Sequence, residues 1–205
     1  GESSLHKDLV EIVEYAKHRG ILEVQMNTNG IPYTQDKIKG LIAAGLDRLI
    51  VSIDGATPET YAKIRVGGRL EQVEKTLRGF NFWKRQYNKS TPYIRIQMTQ
   101  QEANDQEAQT FRAKWSELAD EIHIKPVRLR NQGERRRCPQ PFQRLVFGWN
   151  GSAYGCCAVW DEESHLGETE SIQDAWLWND KFRQLGRNPD QGEPCKSCQI
   201  GSSYV

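Results

Sequence analysis

Over residues 5–20, LHKDLVEIVEYAKHRG, apolar side chains recur at Leu9, Ile12, Val13 and Ala16, the spacing of one helical face, and the run stops at Gly20, a residue suited to a helix C-cap. LEVQM (22–26) follows as a short strand, TQDKIKGLIAAG (34–45) as a second helix, and DRLIVSID (47–54) as a strand buried on both faces. Thr57-Pro58 has the chemistry of a helix start, and RLEQVEKTLRGFNFWKR (69–85) extends as a longer helix. PYIRIQM (92–98) alternates: Ile94, Ile96 and Met98 share one face, and Tyr93, Arg95 and Gln97 share the other, which in a barrel strand lines the lumen. NDQEAQTFRAKWSELAD (104–120) reads as an amphipathic helix with Ala108, Phe111, Trp115 and Leu118 inward, and EIHIK (121–125) as a fourth strand. Strands alternating with helices at this spacing predict βαβ units on a parallel sheet.

Beyond about residue 126 the texture changes. VRLRNQGERRRC (127–138) is basic and has no period. A hairpin follows, turning at Asn150-Gly151, and then SIQDAWLWNDKFRQLG (171–186), a helix with a capping-box start at Ser171 and Asp174 that stops at Gly186. These shifts place a domain boundary near residue 130, giving units 1–130 and 131–205.

Charge adds little to this picture. The 28 Lys and Arg residues nearly balance 27 Asp and Glu, so no global field recruits nucleic acid or an anionic membrane. No run approaches the ~18 apolar residues needed to cross a bilayer, and the first residues lack a signal-peptide layout, which predicts a cytoplasmic protein. Cysteine usage matters more. Five cysteines in a chain of this size point to metal or catalysis rather than to disulfide staples. Cys138, Cys156, Cys195 and Cys198 are spaced C-x17-C-x38-C-x2-C, and the CxxC pair lets two thiolates reach one metal. From spacing alone, zinc, an iron–sulfur cluster and a redox or disulfide role all remain open. Cys157 neighbours Cys156 and points to the opposite strand face, so it reads as a buried apolar side chain. His6, His18, His123 and His165 show no metal spacing, although His123 alternates with Ile122 and Ile124 and so shares the lumen side. Arg128, Arg130, Arg135, Arg136 and Arg137 read as a solvated linker, with no interleaved aromatics to suggest RNA binding.

The second half, running from Cys138 through GSAYGC (151–156) and LGETESIQDAW (166–176) to Cys195 and Cys198, resembles the twitch form of the SPASM extension of radical S-adenosylmethionine (SAM) enzymes. The first half resembles the same superfamily. GESSLHKDLVEIVEYAK (1–17) is similar to its GGEP-containing segment, QMNTNG (25–30) to its strand-three TNG, and IVSIDG (50–55) to its strand-four S-x-D-G. YAKIRVGGRLEQV (61–73) is similar to a downstream segment with an arginine before a glycine-rich turn. Ser3 stands where the superfamily usually has proline, and no C-x3-C-x2-C triad for an initiating cluster occurs anywhere. The expectation is therefore a truncated or partly missing chain.

The resemblance implies an α/β fold: a partial (β/α) barrel carrying strands three to six, then a small twitch domain with a β-hairpin and a helix. It implies an auxiliary [4Fe–4S] cluster on Cys138, Cys156, Cys195 and Cys198 and a SAM site drawing on Glu2, Asn29, Ser52, Asp54 and Arg65. The initiating [4Fe–4S] cluster is expected only in a full-length protein. The implied activity is hydrogen-atom abstraction through a 5′-deoxyadenosyl radical and oxidative modification of a peptide or a sugar- or aminocyclitol-type molecule, with a reductant such as flavodoxin or ferredoxin. Neither membrane nor nucleic acid is expected as a partner. The rival reading is a zinc-binding module that contacts RNA through the arginine-rich linker.

Overall fold

A computed structural model describes residues 1–126, 138, 140–148, 150–155, 165–168 and 172–188. The chain divides into two compact units, Gly1–Val127 and Arg128–Val205. Cys156, Cys157, Cys195, Cys198, Ser171 and the arginines of the linker lie outside the described residues.

The first unit is built on four parallel strands, β1 (Gln25–Thr28), β2 (Arg48–Ser52), β3 (Tyr93–Gln100) and β4 (Glu121–Pro126), paired in sequence order. Helices α1 (Leu9–His18), α2 (Gln35–Ala43), α3 (Pro58–Ile64), α4 (Leu70–Gln86) and α5 (Ala108–Trp115) alternate with them. The helices and the sheet share one core, in which Met26, Leu49, Val51, Ile94, Ile96 and Met98 meet Leu9, Ile38, Leu41, Leu77, Phe80 and Phe111. Every second strand residue points away from that core. Across the register this other face runs Asn27, Ile50, Arg95, Glu121 in one row and Ser52, Gln97, His123 in the next. A sheet with helices on one face and a polar surface on the other is a barrel segment, not a doubly wound sheet, which buries both faces.

Four details differ from the sequence reading. Strand β1 begins three residues later than the apolar letters suggest, at Gln25. Ile12 is 50% exposed, while Leu9 and Val13 carry the packing of α1. Strand β2 is fully buried on both faces only at its centre: on its open side the buried Ile50 (7% exposed) is flanked by the half-buried Arg48 and Ser52. Residues 104–120 are not one helix. A 3-10 turn, Glu102–Glu107, precedes α5, because the buried Asn104 spends its side chain on the backbone of Asp54, Thr99 and Gln101.

The second unit holds an antiparallel sheet, β5 (Val146–Phe147), β6 (Ser152–Tyr154) and β7 (His165–Glu168), with helices α6 (Gln140–Gln143), α7 (Ile172–Trp178) and α8 (Asp180–Arg187). The expected turn is present: Gly151 has φ +86° and the Asn150 side chain accepts the Ser152 N–H. The stretch after Cys138 forms α6 before the hairpin begins, and the predicted helix over 171–186 is split at Asn179 into α7 and α8.

The N-terminal segment is clasped onto the C-terminal end of β1 by Glu2. One carboxylate oxygen accepts from the Ser4 hydroxyl (2.6 Å), the Ser4 N–H (3.2 Å) and the Thr28 hydroxyl (2.6 Å); the other accepts the Asn29 N–H at 2.7 Å. Partial burial pushes this carboxyl up, but the bonds from Ser4, Thr28 and Asn29 together outweigh burial and hold it below the usual glutamate range.

Two predictions follow from these geometries. Gly20 and Gly30 both have positive φ (+84° and +78°), yet only Gly30 is crowded: a Cβ there would lie 3.0 Å from Val51 and from Val73. Gly20→Ala should cost about 1–2 kcal/mol for its backbone alone, and Gly30→Ala about 1 kcal/mol or more beyond that, read from urea unfolding. Because the folded carboxyl of Glu2 is depressed, its stabilisation is complete above the unfolded value of 4.5 and is lost as pH falls through the lower folded value. Glu2→Gln should therefore flatten the pH dependence of the unfolding midpoint on that acid limb. Parallel curves for parent and variant would contradict the clasp.

Candidate functional site

The five residues singled out for SAM lie along one edge, where β1 and β2 end. Asn29 follows β1 and accepts the Ile31 N–H at 2.9 Å, closing a local turn. Glu2 is bonded to its backbone, so these two form one group. Ser52 ends β2, and its hydroxyl accepts from Gln97 Nε2 at 2.9 Å. Asp54 and Arg65 form a second group: Arg65, the C-cap of α3, donates through Nε (2.8 Å) and Nη2 to one Asp54 oxygen, while the other accepts the Thr99 N–H at 2.8 Å. Asp54 thus braces β3 and orients Arg65; the next helix is capped by Thr57 instead.

The bonding leaves specific capacity unused. Gln97 donates to Ser52, so the Ser52 proton is available to a ligand oxygen. Asp54 occupies the Nε–Nη2 edge of Arg65, leaving Nη1 as the natural fork for a carboxylate. Among the described residues, oxygen Oε2 of Glu2 takes only the Asn29 N–H, which leaves a lone pair for an ammonium. SAM carries a carboxylate, an ammonium and ribose hydroxyls, so this donor and acceptor set fits it.

Tyr33 sits beside the Glu2 clasp. Burial, with the Glu2 charge adding to it and Thr28 and Ser4 opposing, pushes its hydroxyl up to about 12, so it stays protonated. Tyr61, on α3, is also raised, by burial first, with the Arg65 charge opposing and Asp54 adding.

Several residues that shape this edge were not singled out from the sequence, although Thr28 and Gly55 lie inside the TNG and S-x-D-G segments. Thr28 and Ser4 share the Glu2 carboxylate. Asn104 bonds the Asp54 and Thr99 carbonyls, and Glu107 accepts the Ala56 N–H at 2.7 Å. Gly55 is forced by contact, since a Cβ there would lie 2.5 Å from the Tyr61 backbone nitrogen. Gln97 was legible only as a lumen-facing position in an alternating strand.

In the second unit, Cys138 is half-buried and its N–H donates to the Gly186 carbonyl at 2.8 Å. Gly155, the residue before Cys156, lies against the same helix, α8: a Cβ on it would collide with the Phe182 ring. The backbone at Cys138 and the backbone entering Cys156 therefore both rest on α8. Asn179 carries an orphaned buried oxygen beside Gly155, and the close backbone approaches at Gly155 and Gly186 leave room for no side chain there, which is compatible with a metal group at Cys138.

Both halves of the chain are similar to known proteins. Residues 1–81 match the radical SAM superfamily model, and residues 138–199 match SPASM, an iron–sulfur cluster-binding domain. A probable GTP 3′,8-cyclase of Methanococcus maripaludis (strain C5) is 47% identical over 78 residues, 37% of this chain and 25% of the relative. The GTP 3′,8-cyclase of Limosilactobacillus fermentum is 45% identical over 74 residues, 36% and 22% of the two chains. These matches thus span about a quarter of the relatives' length. The crystal structure of BtrN in complex with AdoMet and 2-DOIA aligns over 100% of this chain and 73% of its own, with TM-score 0.54 and 16% identity, a likeness of fold. No helix among the described residues is long and apolar enough to cross a membrane. With the two models matched in order, the chain carries a radical SAM segment followed by an iron–sulfur cluster-binding SPASM domain, and the cofactors this pair of matches supports are SAM and [4Fe–4S] clusters.

Proposed function

We propose that this chain forms the SAM- and substrate-facing part of a radical SAM enzyme that abstracts a hydrogen atom and oxidises a polar small molecule of the sugar or aminocyclitol type, or a peptide, with one auxiliary cluster held by Cys138, Cys156, Cys195 and Cys198. The observation that carries the reading is the one-sided sheet. Its open face is polar from Arg95–Glu121 up to Ser52–Gln97 and ends at the Asp54–Arg65 pair. The row of hydroxyl, amide and imidazole groups at Ser52, Gln97 and His123 suits a hydroxyl-rich molecule better than an apolar side chain.

When bound and reduced, the SAM–cluster pair supplies a 5′-deoxyadenosyl radical. The chain's own residues do the rest of what is proposed. Arg65, held by Asp54, meets the ligand carboxylate; Glu2 receives the ammonium; Ser52 and Asn29 donate to oxygen. The ion pair Arg95–Glu121 (2.9 Å) closes the floor of the polar face without leaving an unpaired charge. A substrate that has lost a hydrogen atom must still give up an electron and a proton to become oxidised, and a second redox group in the same chain meets that need.

SAM titrated calorimetrically into the protein tests the first site. Removing one partner of a charged or polar contact leaves the other desolvated, so Ser52→Ala and Glu2→Ala should each weaken SAM binding by roughly ten- to a hundredfold while bound iron stays constant. Parent-like affinity in both would reduce these residues to turn and packing positions.

Iron content after anaerobic reconstitution tests the second site. Alanine at Cys138, Cys156, Cys195 or Cys198 should each lower iron and the broad visible absorption sharply, and Cys157→Ala should leave both near the parent. A colourless protein with stoichiometric zinc would favour a structural zinc site instead.

A further inference from the structure

Helix α8 presents Asn179, Phe182 and Gly186 at positions i, i+3 and i+7, one stripe of its surface. Gly186 touches the backbone of Cys138: its carbonyl accepts the Cys138 N–H at 2.8 Å, and a Cβ on it would stand 2.8 Å from the Cys138 oxygen. Phe182 lies against Gly155. Asn179 reaches both segments. Its Nδ2 donates to the carbonyl of Pro141, three residues after Cys138, at 2.8 Å, and its Oδ1 lies 2.8 Å from where a Cβ of Gly155 would be.

Asn179 is fully buried (0% exposed), and its Oδ1 has no hydrogen-bond partner. A buried amide oxygen without a donor is costly. Leucine would fill similar space without either polar atom, so packing alone gives no reason for an amide here.

We propose that Asn179 is a positioning residue for the auxiliary cluster. It bonds the chain just after Cys138 to the start of α8, beside Gly155, and so fixes the backbone that presents the Cys138 thiolate before metal arrives. This rests on the reading that Cys138 and Cys156 ligate one cluster. Partners that orient metal ligands typically change metal affinity by about 10- to 100-fold when removed.

The test uses the full 205-residue chain, reconstituted anaerobically with iron(II) and sulfide. Asn179→Leu keeps the volume and Asn179→Asp keeps the shape while losing the donor to Pro141. Both should lose iron to a chelator about ten times faster than the parent or more and shift the electron paramagnetic resonance signal of the reduced cluster, the spectral shift being a readout that mere destabilisation of the fold would not produce. Arg183→Ala, on the same helix but facing Trp176 and Asp180, should behave as the parent. If one Asn179 variant fails to fold, the other carries the test. Parent-like chelator rates and spectra in the folded variants would overturn the proposal while Cys138→Ala still loses its iron; retention of iron in Cys138→Ala would overturn the ligand reading beneath it.

Discussion

Parallel strands leave N–H groups at their ends outside the ladder, and each must find an acceptor. In the first unit those acceptors are carboxylates. Asp47, just before β2, takes the Val24 N–H at 2.8 Å and the α1 side chain Lys17 at 2.8 Å. Asp120, just before β4, takes the Ile94 N–H at 2.6 Å and the α4 side chain Lys84 at 3.3 Å. The same device closes the opposite edge, where Asp54 takes the Thr99 N–H and Glu2 the Asn29 N–H. Asp47, Asp120 and Asp54 each lock two strands in register, while Glu2 holds the N-terminal segment to β1; at the two lower corners a lysine from a neighbouring helix balances the charge.

That constraint explains why the candidate SAM residues are useful where they stand. Asp54 cannot move without freeing Thr99, so the guanidinium it holds is fixed relative to β3 as well as β2. Ser52 is fixed in the same way by Gln97 across the two strands. A ligand meeting Arg65 and Ser52 therefore meets groups whose entropy is already spent in the fold, the condition under which charged contacts give affinity rather than cost it.

The periodic parts of this architecture were legible in the sequence because burial follows period. Ile94, Ile96 and Met98 alternate and are buried; Leu9 and Val13 recur at helical spacing and are buried. The failures share a cause. Ile12 obeys the helical period yet faces outward, since the width of a buried stripe depends on what packs against it. Asn104 and Asn179 sit in stretches with sound helical period, and each breaks its helix by bonding backbone far away in sequence, to Asp54 and to Pro141. Local propensity cannot register a partner 50 or 38 residues distant. The site was legible as short motifs, NTNG and SIDG among them, but a partner that aims it, Gln97, belongs to a strand whose alternation marks only a face, and Asn104 to a stretch that reads as plain helix.

The two units solve the same problem of fixing segment ends with different chemistry, and the difference follows from charge. Around the sheet a carboxylate is affordable because a lysine, an arginine or several N–H donors compensate it. Near a cluster ligated by thiolates, which carries net negative charge, a further carboxylate would be repelled, and its burial would cost more still. A neutral amide can join two backbones there without adding to that charge. Asn179 does so through its hydrogen bond to the Pro141 carbonyl, and Gly155 and Gly186 through bare backbone that lets the segments approach. An amide in this place is compatible with the negatively charged cluster proposed above, where a buried carboxylate would be opposed both by the cluster and by its own desolvation.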